Sequence, residues 1–67
     1  MQYRVTDMGN GESACIISPT PEGTIRTYWR QPVDVRNVVR VDEMRTIVDA
    51  YTKGGEFLGR MEIVREK

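Results

Sequence analysis

A chain of 67 residues with one cysteine and no histidine must hold its fold together by packing. At this length only about 60% of the surface exposed by the unfolded chain is buried on folding. Small domains commonly offset that deficit with disulfides, a metal ion or a second subunit. Cys15 has no intrachain partner with which to form a disulfide. Zinc is not expected without histidine or further cysteines. No cofactor or metal is therefore expected. A single well-packed domain spanning 1–67 remains, or association with a partner or with a second copy as a homodimer.

Ten basic and ten acidic residues cancel. Proteins held mainly by nucleic-acid phosphates usually carry a positive excess, so net charge does not point to such a partner, although a local basic patch stays open. Eight of the basic residues are arginine and two are lysine. Arginine grips carboxylates, phosphates and aromatic faces through its flat fork of donors, and it is enriched at protein interfaces. No apolar run approaches the ~20 residues of a membrane span, so no membrane partner is expected. The N-terminal MQYRVTD lacks the apolar core of a signal peptide. The lone cysteine fits a reducing compartment. A complete small cytoplasmic protein is the expectation.

Along the chain, Tyr3-Arg4-Val5 opens a strand, and Gly9-Asn10-Gly11 supplies a turn whose residues tolerate positive φ. Ser13–Ser18 reads as a second strand that forms a hairpin with the first. Its continuous run Ala14-Cys15-Ile16-Ile17 suggests cover on both faces. The prolines and glycine of 19–23 then read as a break. In 24–31 the residues alternate: Ile25, Thr27 and Trp29 on one face, Arg26, Tyr28 and Arg30 on the other, as in a third strand. Residues 33–41 hold five valines and stay open between strand, loop and an extension of a helix. A loop followed by a short strand over 38–41 is preferred, because β-branched residues weaken a helix.

Residues 42–52 carry the helical signal. Asp42 can cap, Glu43 suits the first turn, Met44, Ile47, Val48 and Tyr51 fall at i, i+3, i+4 and i+7, and Gly54-Gly55 can stop the helix. Phe57–Arg65 reads as a last strand. The expected fold is α+β, with a small antiparallel sheet of three to five short strands. One amphipathic helix, about 42–52, packs on one face, in the order β-β-β-(β)-α-β.

Candidate chemistry is sparse. Histidine is absent, Cys15 sits in an apolar run where thiols are usually inert core, and no phosphate-binding, nucleophile or metalloprotease motif occurs. An enzyme is not expected. Arg26, Tyr28 and Arg30 would project from one sheet face about 6 to 7 Å apart, with Arg4 close by if the first strand is near. Arg36 and Arg40 lie among the valines of a segment that could offer a strand edge. Tyrosine and arginine are frequent hot-spot residues at protein interfaces, and they also stack on and neutralise single-stranded nucleic acid. An ordinary solvated sheet face has the same appearance. Binding to another protein through Arg26, Tyr28, Arg30, Arg4, Arg36 and Arg40 is the leading expectation. It suits a small accessory or inhibitory protein of a phage or mobile element that occludes a surface of a host complex. The alternatives are a nucleic-acid-binding module on the same residues and a small structural or assembly subunit.

Overall fold

A computed structural model describes residues 1–66. The elements run β1 (Gln2–Asp7), β2 (Ser13–Ile17), α1 (Pro21–Trp29), β3 (Val33–Arg40), β4 (Arg45–Thr52) and β5 (Phe57–Glu66). The α+β class expected from the sequence is the one observed. The expected element order is not, because helix and strand are exchanged at two places. The five strands form one sheet in the order β2-β1-β5-β4-β3, each pair of neighbours antiparallel. The chain makes the β1–β2 hairpin, crosses one face of the sheet as α1, and returns as the meander β3-β4-β5. β5 then docks against β1.

The first exchange concerns 24–31, read as a strand and observed in the helix Pro21–Trp29. The local signals explain it. Thr20 is extended (φ −134°, ψ 154°) and its hydroxyl accepts from the Gly23 N–H at 3.1 Å, an N-cap. Pro21 occupies the first turn, where its missing N–H costs nothing, and Glu22 complements the positive end of the helix. The pair of prolines read as a break is therefore a helix start. Arg30 adopts the left-handed conformation (φ 57°) as C-cap, and Pro32 follows where a helix cannot continue. The inward face is Thr24 and Ile25, both fully buried, with Tyr28 and Trp29 packed beside them.

The second exchange concerns 42–52, read as a helix and observed as the strand Arg45–Thr52. The i, i+3, i+4, i+7 spacing competes with β preference at Thr46, Ile47, Val48, Tyr51 and Thr52, and the strand wins. Thr46, Val48 and Ala50 face the helix and are buried. Asp42 still caps, but it caps a turn: its Oδ1 accepts from the N–H groups of Met44 and Arg45 at 2.8 and 2.9 Å. Gly54-Gly55 closes the β4–β5 hairpin, with Gly55 at φ 96° and its N–H on the Thr52 carbonyl. Residues 33–40 form a full strand, not a loop leading to a short one over 38–41. A register shift between Arg36 and Val39 accommodates Asn37 at φ 53°.

The core lies between α1 and one sheet face. Tyr3, Val5, Ile16, Ile25, Val33, Val48, Ala50, Met61 and Ile63 make it, with Val5, Ile25, Val48, Ala50 and Met61 fully shielded. The helix covers only one face of the sheet, so the apolar run of β2 is covered on one side only: Ile16 is buried, Ile17 is 80% exposed, and Cys15 is exposed instead of core. Among the described residues no helix is long and apolar enough to cross a membrane.

Candidate functional site

Among the described residues one helix packs on one face of the sheet, and the other face is left to solvent. The register shows which side chains stand there. Thr6, Glu62, Ile47 and Val39 align across β1, β5, β4 and β3, and Arg60, Asp49 and Arg36 align in the neighbouring row. Beyond them Phe57, Tyr51 and Asp34 form a third row.

At the centre of this face Asp49 is only 5% exposed. Its two carboxylate oxygens are both occupied: Arg60 Nε donates to Oδ1 at 2.9 Å, and Asn37 Nδ2 donates to Oδ2 at 2.8 Å. The left-handed backbone at Asn37 turns its amide toward Asp49, a conformation that asparagine tolerates better than most residues. The Arg60 hydrogen bond, followed by that of Asn37, holds the Asp49 carboxyl below the usual carboxylate range. Asp49 in turn raises Arg60.

A depressed folded pKa means that Asp49 stabilises the fold above its unfolded value near ~4, and that this contribution is lost as pH falls through the folded value. Wild type is therefore expected to lose stability on acidification faster than Asp49→Asn. The gap between their urea midpoints should narrow as pH drops from ~6 to below ~4. A gap that stays constant contradicts the network.

Next to the network stands an aromatic cluster. The Arg36 guanidinium lies 4.4 Å from the Tyr51 ring centroid, a cation–π contact. Phe57 meets Tyr51 edge to face, with centroids 5.3 Å apart and planes at 64°. Phe57 is 58% exposed and Val39 is 55% exposed. Met8, Asn37, Val39, Ile47 and Arg60 line a depression of about 300 Å³. Met8 and Arg60 also border a second depression of about 490 Å³ that reaches Phe57 and Leu58. The result is a surface of aromatic, apolar and arginine groups with two shallow, open depressions beside it.

The arginines of this face are paired. Arg4 meets Glu66 at 3.2 Å, Arg45 meets Glu62 at 3.4 Å, Arg60 meets Asp49 at 2.9 Å, and Arg36 meets Asp34 at 3.8 Å. Asp34 also accepts from Lys53 at 2.9 Å, and that hydrogen bond is the main cause of its lowered pKa.

The six residues singled out from the sequence fall in three places. Arg4 and Arg36 are on the open face, on strands separated by β5 and β4. Arg26 and Arg30 are exposed on α1 and its C-cap, and Tyr28 packs half-buried beside the core, so the expected Arg-Tyr-Arg sheet stripe does not exist. Arg40 lies at the end of β3 on the helix side, opposite the buried Thr46. Sequence reasoning gives no binding role to Met8, Val39, Asp49, Phe57 or Arg60, and assigns Ile47 and Tyr51 to a helix face. The usable signal is a pair of aromatics, Tyr51 and Phe57, flanking a Gly-Gly turn, the pattern of a cross-strand pair.

Among the described residues no group of three or more His, Cys, Asp or Glu is placed to hold a metal. Comparison with known proteins finds no matching family model, no matching curated protein and no matching solved structure.

Proposed function

We propose that the protein is a non-enzymatic binding module that seats another protein on the open face of its sheet, around Phe57, Tyr51 and Arg36. The observation that carries this reading is the exposed Phe57 packed on a Tyr51 ring already covered by Arg36. Aromatic residues, methionine and arginine are the types enriched where proteins meet. Here their side chains are ordered in advance: Arg60 by Asp49 and Arg36 by Tyr51. Binding then costs less rotamer entropy. The mechanism is occlusion, in which a rigid face covers a surface of the partner, as in a small accessory or inhibitory protein.

The same face is a poor fit for nucleic acid. Each of its four arginines meets a carboxylate, so a phosphate would have to displace Glu66, Glu62, Asp49 or Asp34. The Tyr51 ring, which a base would stack on, is taken by Arg36. Purified protein titrated at low salt with mixed single- and double-stranded oligonucleotides should show no micromolar binding. Immobilised protein should retain a discrete protein from host extract through moderate salt. Oligonucleotide affinity that falls steeply with salt would instead assign the surface to phosphates.

A further inference from the structure

On the helix side of the sheet, away from the aromatic face, a depression of about 180 Å³ is lined by Tyr3, Arg40, Thr46 and Arg65, with Glu43 and Met44 at the β3–β4 turn. That volume holds roughly six waters at ~30 Å³ each, or a phosphate group with part of its hydration shell. Arg40 and Arg65, unlike the arginines of the open face, meet no carboxylate among the described residues. Among the described residues Glu43 is the one acidic side chain on the rim, beside the two guanidiniums.

Two hydroxyls add to the set. Thr46 lines the depression, and its hydroxyl, which makes no hydrogen bond among the described residues, is open to solvent there. Tyr3 is 3% exposed, and its hydroxyl donates only to the Met1 sulfur at 3.4 Å, a weak acceptor. The site thus offers two planar guanidinium forks, the open Thr46 hydroxyl and the weakly engaged Tyr3 hydroxyl.

We infer that this depression binds a phosphate group, either inorganic phosphate or the phosphate of a small phosphomonoester. A planar carboxylate presents two oxygens in one plane, which suits one arginine fork better than two forks that approach from different strands. A tetrahedral phosphate presents enough acceptors for both arginines and both hydroxyls at once. Position supports the set: Arg65 faces Tyr3 across the β1–β5 ladder, Thr46 faces Arg40 across β3–β4, and the Arg65 N–H is tied to the Met44 carbonyl at 2.8 Å.

The test is titration of the isotope-labelled protein with inorganic phosphate and with a simple phosphomonoester, at low and constant ionic strength, followed by amide and arginine side-chain shifts. Saturable shifts at Tyr3, Arg40, Thr46 and Arg65 are expected, and acetate at the same ionic strength should not reproduce them. Saturation by the ester but not by inorganic phosphate would assign the site to esters, and the reverse to the free ion. Arg40→Gln and Arg65→Gln should each weaken binding at least about tenfold. Arg26→Gln, on the helix, should leave it unchanged. A well-resolved native spectrum of each variant shows that the loss is not unfolding. Thr46→Val, which keeps both charges and the strand, should weaken binding by a smaller factor. Shifts that do not saturate, that spread equally to Arg26 and Arg30, or that survive in both Arg40→Gln and Arg65→Gln overturn the site.

Discussion

Ile25→Ala is expected to remove about 2–5 kcal/mol of stability, the usual cost of deleting a fully buried isoleucine side chain. Total stability for a chain of this length lies roughly between 3 and 10 kcal/mol, so the loss is a large share of it. The effect reaches beyond one contact. The helix has nine residues, and isolated helices shorter than ~12–15 residues are marginal in water. It persists because Thr24 and Ile25 anchor it on the sheet. Without Ile25 the helix loosens, and Val5, Val48, Met61 and Ile63 lose their cover. Urea unfolding followed by circular dichroism should show a large fall in midpoint or no native baseline. Met44→Ala provides the contrast. Met44 would be core on a helix over 42–52, yet it is 37% exposed, and its replacement should change stability by no more than about 0.5 kcal/mol. Similar losses at both positions would contradict the placement of the helix.

Phe57→Ala is expected to cost at least about 2 kcal/mol of partner binding, roughly thirtyfold in Kd, if Phe57 is the exposed anchor of the interface. Its effect on the fold should be smaller. The side chain is 58% exposed, and it pairs with the Tyr51 ring, an aromatic contact worth about 0.5–1.5 kcal/mol. Arg36→Ala should act in the same direction, since it uncovers Tyr51 and frees Asp34 to Lys53 alone. The two losses should not add fully, because both residues act through one ring. Calorimetry on the captured partner reads the affinity, and melting temperature reads the fold. Equal binding by wild type and both variants would move the interface off this face.

The two ends of the chain are legible in their residue pattern alone. Tyr3 and Val5 alternate cleanly because the other side of β1 faces solvent, and Gly9-Asn10-Gly11 names its own turn. The last strand is legible at Met61 and Ile63 for the same reason. The centre of the chain misleads on physical grounds. β4 is a central strand, and its Asp49 is buried on the open face by Arg60 and Asn37, so polarity does not report burial there. With that alternation blurred, Met44, Ile47, Val48 and Tyr51 line up by coincidence at helical spacing. In α1 the opposite happens: Thr, Ile, Tyr and Trp look like strand residues, and only the cap Thr20-Pro21-Glu22 declares the helix. The candidate surface moves with this exchange. An Arg-Tyr-Arg stripe exists only if 24–31 is extended, and the Tyr51–Phe57 pair exists only if 45–52 is.

A photoreactive phenylalanine analogue placed at position 57, and separately at position 26, tests directly whether the uncovered sheet face is the interacting surface. Illumination in host extract should join the first probe to a discrete protein and leave the second without adducts. Adducts at position 26 with none at position 57, or adducts at position 57 made with nucleic acid, would contradict it.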